Sequence, residues 1–356
     1  MVNIGVIGFG YWGPNLVRNF THHPKCSVKR IADQSEARLA TAQKMYPFIQ
    51  TTTDMYRVLD DPGIQGVVIA TPINTHYRIA KEALLRGKHV LVEKPLTNSR
   101  AHALELIKIA KEKDLRLMVD HIYLYNGAIR KIKEIISKGE LGKIQYFDSI
   151  RVNLGLIQND SNVLWDLAVH DLSILNFLVE EKPSSLIATG VSHTMNNIEN
   201  IAYITLNYSS GMITHINCSW ISPVKIRMIL IGGTKKMIVY NDVEPTEKVK
   251  LYDTNYQIIE REKTLVDYRI GDIYIPKFDQ TEALKNVADD FIDSIIEGRE
   301  PFSNGKSAYD TIDILEAAQE SIKKNGKEVF LDGNSQYREP KAAGKERKAR
   351  NKRSAA

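Results

Sequence analysis

VNIGVIGFGYWGPNLVRNF, residues 2–20, is the stretch on which the fold is decided. Val2 to Ile7 is a short, continuously apolar run, as expected of a strand buried on both faces. Gly8, Gly10 and Gly13 follow in G-x-G-x-x-G register, and an amphipathic segment continues from Pro14. Strand, glycine turn and helix in that order are the context a dinucleotide fingerprint requires. Gly8 allows the tight turn, Gly10 lets backbone approach a pyrophosphate, and Gly13 lets helix and strand pack closely. Free N–H groups at the helix start favour the anion, and Pro14 suits a first turn that has no use for its missing donor. Asp33 lies 20 residues beyond Gly13. A carboxylate there accepts from both ribose hydroxyls and repels a 2′-phosphate, which favours NAD; Arg38 keeps NADP as an alternative.

Outward from this unit the βα pattern repeats to about Ile122. Strand-like runs are SVKRIAD, QGVVIAT, KHVLVEK and LRLMVDH, with a weaker one near 49–53, and helical stretches fall at 35–45, 74–86 and 99–113. After Gly142 the character changes to successive strands from IQYFDSIRV to KVKLYD, joined by turn signals such as Ser209-Ser210-Gly211. Helical stretches return near 279–297 and 306–325. The expected fold is α/β: a Rossmann doubly wound parallel sheet over residues 1–122, then an α/β domain with an open, mostly antiparallel sheet over 123–337. Residues 338–356 form a basic tail with eight Lys/Arg against two Glu, expected to be disordered.

The formal charge of +5 therefore belongs to the tail, and the body is near neutral. No basic stripe or nucleic-acid module is visible in the body, so nucleic acid is not an expected partner. No apolar run approaches the roughly 20 residues that cross a bilayer, and MVNIGVIG shows no basic leader before a cleavage site. Cys26 and Cys218 have no paired or ligand spacing, which points to free thiols and a cytoplasmic location.

Ligands in doubly wound sheets bind outside the carboxyl ends of the strands. There the sequence places Thr71, Pro72, Asn74 and His76, then Glu93-Lys94-Pro95, then Asp120-His121. Further on, VLWDLAVHDLSIL (163–175) sets Asp166, His170 and Asp171 into a greasy helix. Asp166 and His170 are four residues apart, hence expected on one helix face. Such a pair reads either as a core hydrogen bond or as chemistry facing the crevice.

At GFGYWG, ATPINTH, VEKPL and DLAVH the chain resembles the Gfo/Idh/MocA family of NAD(P)-dependent sugar and cyclitol oxidoreductases. The resemblance covers about 1–330. It implies Lys94, Asp166 and His170 as catalytic residues, and a cofactor held by the turn from Gly8 through Phe9, Gly10, Tyr11 and Trp12 to Gly13. Asp33, Thr71, Pro72, Asn74, His76, Glu93, Lys94 and His121 match positions that line the same cofactor. It also implies a homodimer or homotetramer formed through the second sheet. GYWGPNLVRNF, WDLAVHDLSIL and ISPVKIRMILIGGTKKMIVYND are most similar to nucleotide-sugar 3-dehydrogenases acting on UDP-N-acetylglucosamine or its uronate. That implies a 3-keto product for a pathway aminotransferase; an inositol or free-sugar dehydrogenase is the alternative enzyme.

Oxidising a secondary alcohol removes a hydroxyl proton as hydride leaves the same carbon. His170 suits the proton and Asp166 the orientation of its ring, while Lys94 suits the developing alkoxide; a desolvated lysine also serves as base. A zinc site from His121, Asp166 and His170 is disfavoured because catalytic zinc in alcohol dehydrogenases uses thiolates. Candidate substrate contacts are Tyr123, Asn126, Arg151 and Trp165. Arg151 reads equally as a phosphate or carboxylate partner and as a solvated strand residue, and Trp165 as a sugar platform or as core. A non-catalytic NAD sensor on the same fold is the reading of another class.

Overall fold

The computed structural model describes residues 1–155, 157, 161–194, 198–260 and 265–331; the basic tail lies outside them. β1 (Val2–Ile7) sits centrally in six parallel strands with β2 (Cys26–Ala32), β3 (Gln50–Thr52), β4 (Gly66–Ile69), β5 (His89–Glu93) and β6 (Leu117–Asp120). The order is β3-β2-β1-β4-β5-β6. It reverses between β1 and β4, so the crevice beyond their carboxyl ends is the ligand position. α1 (Gly13–His22), α2 (Glu36–Met45), α3 (Tyr56–Leu59), α4 (Ile73–Leu85) and α5 (Arg100–Glu112) supply the crossovers. β4 is buried at every residue, which requires cover on both faces.

A second sheet of nine strands follows: β7 (Ile144–Leu154), β8 (Ser185–Val191), β9 (Ile201–Asn207), β10 (Ile213–Ser219), β11 (Ile221–Gly233), β12 (Met237–Asn241), β13 (Val249–Glu260), β14 (Leu265–Tyr274) and β15 (Val329–Phe330). Their order is β14-β13-β12-β11-β7-β10-β9-β8-β15, antiparallel throughout except for the parallel pair β7–β10. The remaining helices are α6 (Gly127–Ser137), α7 (Val169–Leu178), α8 (Ala283–Glu297) and α9 (Gly305–Lys323). Phe147, Ile204, Leu206 and Ile216 on one sheet face share a core with Leu172 and Leu175 of α7 and Leu315 of α9. The opposite face leaves Tyr203, Ile213, Tyr268 and Ile270 exposed.

α8 returns to the first sheet, where Leu284, Val287 and Phe291 join the core of Ile4, Leu16 and Phe20. Burial of these apolar faces outweighs chain order, since the hydrophobic gain depends on area and not on sequence distance. α6 and β14 were not expected. The first is capped by the Asn126 side chain, which accepts from Ala128 N–H, and the second only extends the β13 ribbon.

Candidate active site

The glycine turn is shaped by what each glycine would strike. A Cβ on Gly8, whose φ is 101°, would lie 2.3 Å from the Ala70 carbonyl oxygen. One on Gly13 would lie 2.4 Å from the Gly8 carbonyl oxygen. Gly10 differs: its nearest neighbour would be Arg38 Nη1 at 3.7 Å, so this face of the turn opens to the cleft. The first turn of α1 carries no acidic residue and no side-chain cap; Asn15 and Leu16 N–H bond the Trp12 carbonyl, and the helix start, with Gly13 N–H, faces an anion favourably. Asp33 is fixed beside it, Oδ2 accepting from Phe9 N–H at 2.7 Å and Oδ1 from Ser35 N–H at 2.8 Å. Arg38 Nη1 stands 3.7 Å from Asp33 Oδ2. An open glycine face, a helix start without acidic residues and an anchored carboxylate fit a dinucleotide.

These residues border a cleft of about 1100 Å³. Its first-sheet wall includes Gly8, Gly10, Tyr11, Trp12, Asp33, Thr71, Pro72 and Asn74, with His76, Glu93 and Lys94 beyond them. The second sheet and its helices contribute Asn153, Trp165, Asp166 and Trp220. Three expected cofactor residues are not in the wall. Phe9 turns into the core, Gly13 packs on Gly8, and His121 is buried with neither ring nitrogen partnered. His76 is a brace as well as a wall, its ring bonded to the carbonyls of Pro95 at 2.8 Å and Thr71 at 2.7 Å.

Lys94 projects from the end of β5 into this cleft. Its Nζ donates to the Asp166 backbone carbonyl at 2.9 Å and to Asp166 Oδ1 at 3.1 Å. Asp166 Oδ2 accepts from Trp220 Nε1 at 3.0 Å. The expected Asp166–His170 pairing is therefore corrected: Asp166 orients Lys94, not the imidazole. Leu164–Ala168 is a π-helical turn, with Val169 N–H bonded to the Leu164 carbonyl. Such turns recur at functional sites.

His170 opens α7, half-buried, beside the cleft wall and not in it. Its ring stands edge-on to Tyr123 at 5.2 Å, and Nδ1 is buried without a partner. Burial, then the charges of Lys94 and Arg151, hold the ring well below its ordinary pKa, so it is neutral. His121, Asp166 and His170 do not converge, and among the described residues no three His, Cys, Asp or Glu are placed to hold a metal.

Three of the four candidate substrate contacts serve the structure. Arg151 is neither a free anion partner nor a solvated strand residue. Its Nε and Nη2 donate to Asp171 at 2.7 and 3.0 Å, and Nη1 to Tyr123 Oη at 2.9 Å, all in the interior. Tyr123 Oη donates on to Asp242 Oδ2 at 3.0 Å, and Asn126 caps α6. Trp165 does border the cleft, with Nε1 tied to Gln319 Oε1 at 2.9 Å. Trp220 and Asn153 were missed; nothing in local spacing links a strand-end tryptophan to a helix 54 residues earlier.

Two family models match. One, described as an oxidoreductase family with an NAD-binding Rossmann fold, matches residues 2–121; the other, a GFO/IDH/MocA C-terminal domain, matches residues 129–239. The NAD(+)-dependent scyllo-inositol 2-dehydrogenase of Bacillus subtilis is 27% identical over 246 residues, 65% of this chain and 71% of that protein. Among solved structures, UDP-N-acetylglucosamine 3-dehydrogenase GnnA from Acidithiobacillus ferrooxidans aligns with a TM-score of 0.76 at 21% identity, covering 90% of this chain and 98% of that one. Levoglucosan dehydrogenase in complex with NADH and L-sorbose aligns with a TM-score of 0.79 at 22% identity, covering 93% and 98%. Among the described residues no helix is long and apolar enough to cross a membrane.

Proposed function

The chain belongs to the GFO/IDH/MocA oxidoreductase family and takes NAD; from that premise we propose that it oxidises a secondary alcohol of a sugar, with C3 of UDP-N-acetylglucosamine as the substrate position. The observation that carries the chemistry is the Lys94 ammonium, held by Asp166 inside the cleft that begins at the glycine turn. When bound, the nicotinamide accepts the hydride.

Lys94 has three N–H donors and gives two to Asp166, which leaves one for the alcohol oxygen as negative charge develops there. Asp166, itself held by Trp220, fixes where that third donor points. His170 is neutral and stands beside the cleft, and as a neutral imidazole it is the group we assign to take the hydroxyl proton. Lys94→Met and His170→Asn, each followed by kcat/KM against pH, test the pair. Loss on the order of 100-fold or more in Lys94→Met is expected, and full activity in either variant overturns the assignment.

The nucleotide-sugar substrate is supported by the resemblance at GYWGPNLVRNF, WDLAVHDLSIL and ISPVKIRMILIGGTKKMIVYND; its 3-keto product would suit an aminotransferase. A cyclic polyol is the second reading. It is favoured by the likeness to an inositol dehydrogenase and by a second-sheet wall that brings no arginine or lysine among its described residues. NADH absorbance on mixing protein and NAD⁺ with UDP-N-acetylglucosamine, its uronate or scyllo-inositol separates the two. No turnover of any sugar or polyol would leave a non-catalytic NAD-binding protein. The uncovered face of the second sheet, with Tyr203, Ile213, Tyr268 and Ile270 exposed, supports assembly of copies through it.

A further inference from the structure

Glu93 and Asp120 end the neighbouring parallel strands β5 and β6 as register partners. Their side chains therefore leave the same face of the sheet about one strand spacing, roughly 4.8 Å, apart. Glu93 is 8% and Asp120 3% exposed. At that spacing each carboxyl group acts on the other, and each is held above the ordinary carboxylate range by burial. No donor reaches Glu93 Oε1 or Asp120 Oδ1.

The surroundings provide one cation against two negative charges: the Lys94 charge favours ionisation of both carboxyl groups, and burial outweighs it. The Lys94 ammonium is spent on Asp166. His121, next in the chain, is pushed down to about 4 by burial and then by the Lys94 charge, so it is neutral. Tyr125, the other titratable group near Asp120, turns its hydroxyl to Asp290 at 2.6 Å. An ionised carboxylate only accepts hydrogen bonds, so two of them bond only through a proton. Like charges buried at this spacing do not both ionise.

From this cluster we infer that Glu93 and Asp120 share one proton at neutral pH, and that this acid pair, whose Glu93 is the chain neighbour of Lys94, positions the ammonium facing the alcohol. The positioning half rests on the role proposed above for Lys94; the shared proton does not. Glu93 and Asp120 are positioning residues that act through the backbone of Lys94. Burial pushes Asp120 up to about 6 and holds Glu93 well above the usual carboxylate range. The pair therefore carries a single negative charge across the neutral range.

Infrared difference spectra of the unliganded protein, titrated between about pH 5 and pH 8, test the proton directly. A protonated-carboxyl carbonyl band is expected to persist at neutral pH in the wild type and to be shifted or lost in Asp120→Asn. In Glu93→Gln it should be lost or shifted. Asp120→Asn keeps a donor toward Glu93, so a purely structural hydrogen bond would survive it. Denaturant unfolding shows that the variants are folded, each with a single cooperative transition. The kcat of each variant should fall on the order of tenfold, the effect of a small displacement of an aimed group. Absence of the band from the wild type, or its persistence unchanged in both variants, overturns the shared proton; unchanged kcat in both overturns the positioning. The infrared arm needs no substrate, so a protein that turns nothing over counts against the function proposed above and not against the pair.

Discussion

Trp220 donates its indole N–H to Asp166 Oδ2 at 3.0 Å, and Asp166 Oδ1 accepts from Lys94 Nζ at 3.1 Å, so a strand of the second sheet aims a lysine of the first. Trp220→Phe keeps most of the apolar contact and removes the donor. Asp166 is a quarter exposed, so water takes over part of the lost bond and the stability cost should be about 1 kcal/mol. The kinetic cost should be larger in proportion: kcat on the order of tenfold lower with KM little changed, because the aim of Lys94 matters most in the transition state. Steady-state kinetics beside denaturant unfolding would show it, and a rise confined to KM would refute it.

Three imidazoles should make the protein acid-sensitive. Burial, then neighbouring cations, pushes His89 and His121 down to about 4 and holds His170 well below its ordinary value. In the unfolded chain each titrates near 6.5, so below that pH the unfolded state binds more protons and stability falls. The window runs from about pH 6.5 down to 4, and His121 alone should contribute on the order of 3 kcal/mol across it. Glu93 and Asp120 are raised and act in the opposite sense, so the decisive quantity is the difference between wild type and His121→Asn. The wild-type denaturant midpoint should fall more steeply with acid than the variant's; parallel curves would count against it.

Arg151 and Asp171 form an ion pair that is 3% and 1% exposed, with the guanidinium also 4.7 Å over the Tyr123 ring. Removing one partner leaves a buried charge uncompensated, so Arg151→Met should cost about 3–5 kcal/mol. A substrate-anchoring arginine would behave otherwise, raising KM at unchanged stability. Unfolding curves and KM measured on the same variant separate the two roles.

What was legible in the sequence was local. Gly8, Gly10, Asp33 and the strand-end Glu93-Lys94 need only short-range spacing and a βα alternation, and all of them reach the cleft. Asp166 reached it too, but its expected partner did not, because the Asp166 carboxylate is taken by Lys94 and Trp220, both remote in the chain. Arg151 was misread for a different reason. Strand alternation says which face a side chain takes and nothing about an Asp171 waiting on a helix packed against that face. The return of α8 to the first sheet and the Trp220–Asp166 bond are likewise products of long-range packing, invisible to a reading that moves along the chain.

The glycine turn offers a test in which two similar substitutions should part company. A methyl on Gly13 would meet the Gly8 carbonyl oxygen at 2.4 Å, an approach that only backbone movement can relieve. A methyl on Gly10 would meet no protein atom closer than 3.7 Å, and would project where a pyrophosphate must lie. Gly10→Ala should therefore unfold at the wild-type denaturant concentration, within about 0.5 kcal/mol, yet bind NADH on the order of tenfold or more weakly by fluorescence. Gly13→Ala should lose stability first, by about 1–3 kcal/mol, as overpacking does. Wild-type NADH affinity in Gly10→Ala would mean that the open face of the turn is not where the cofactor sits.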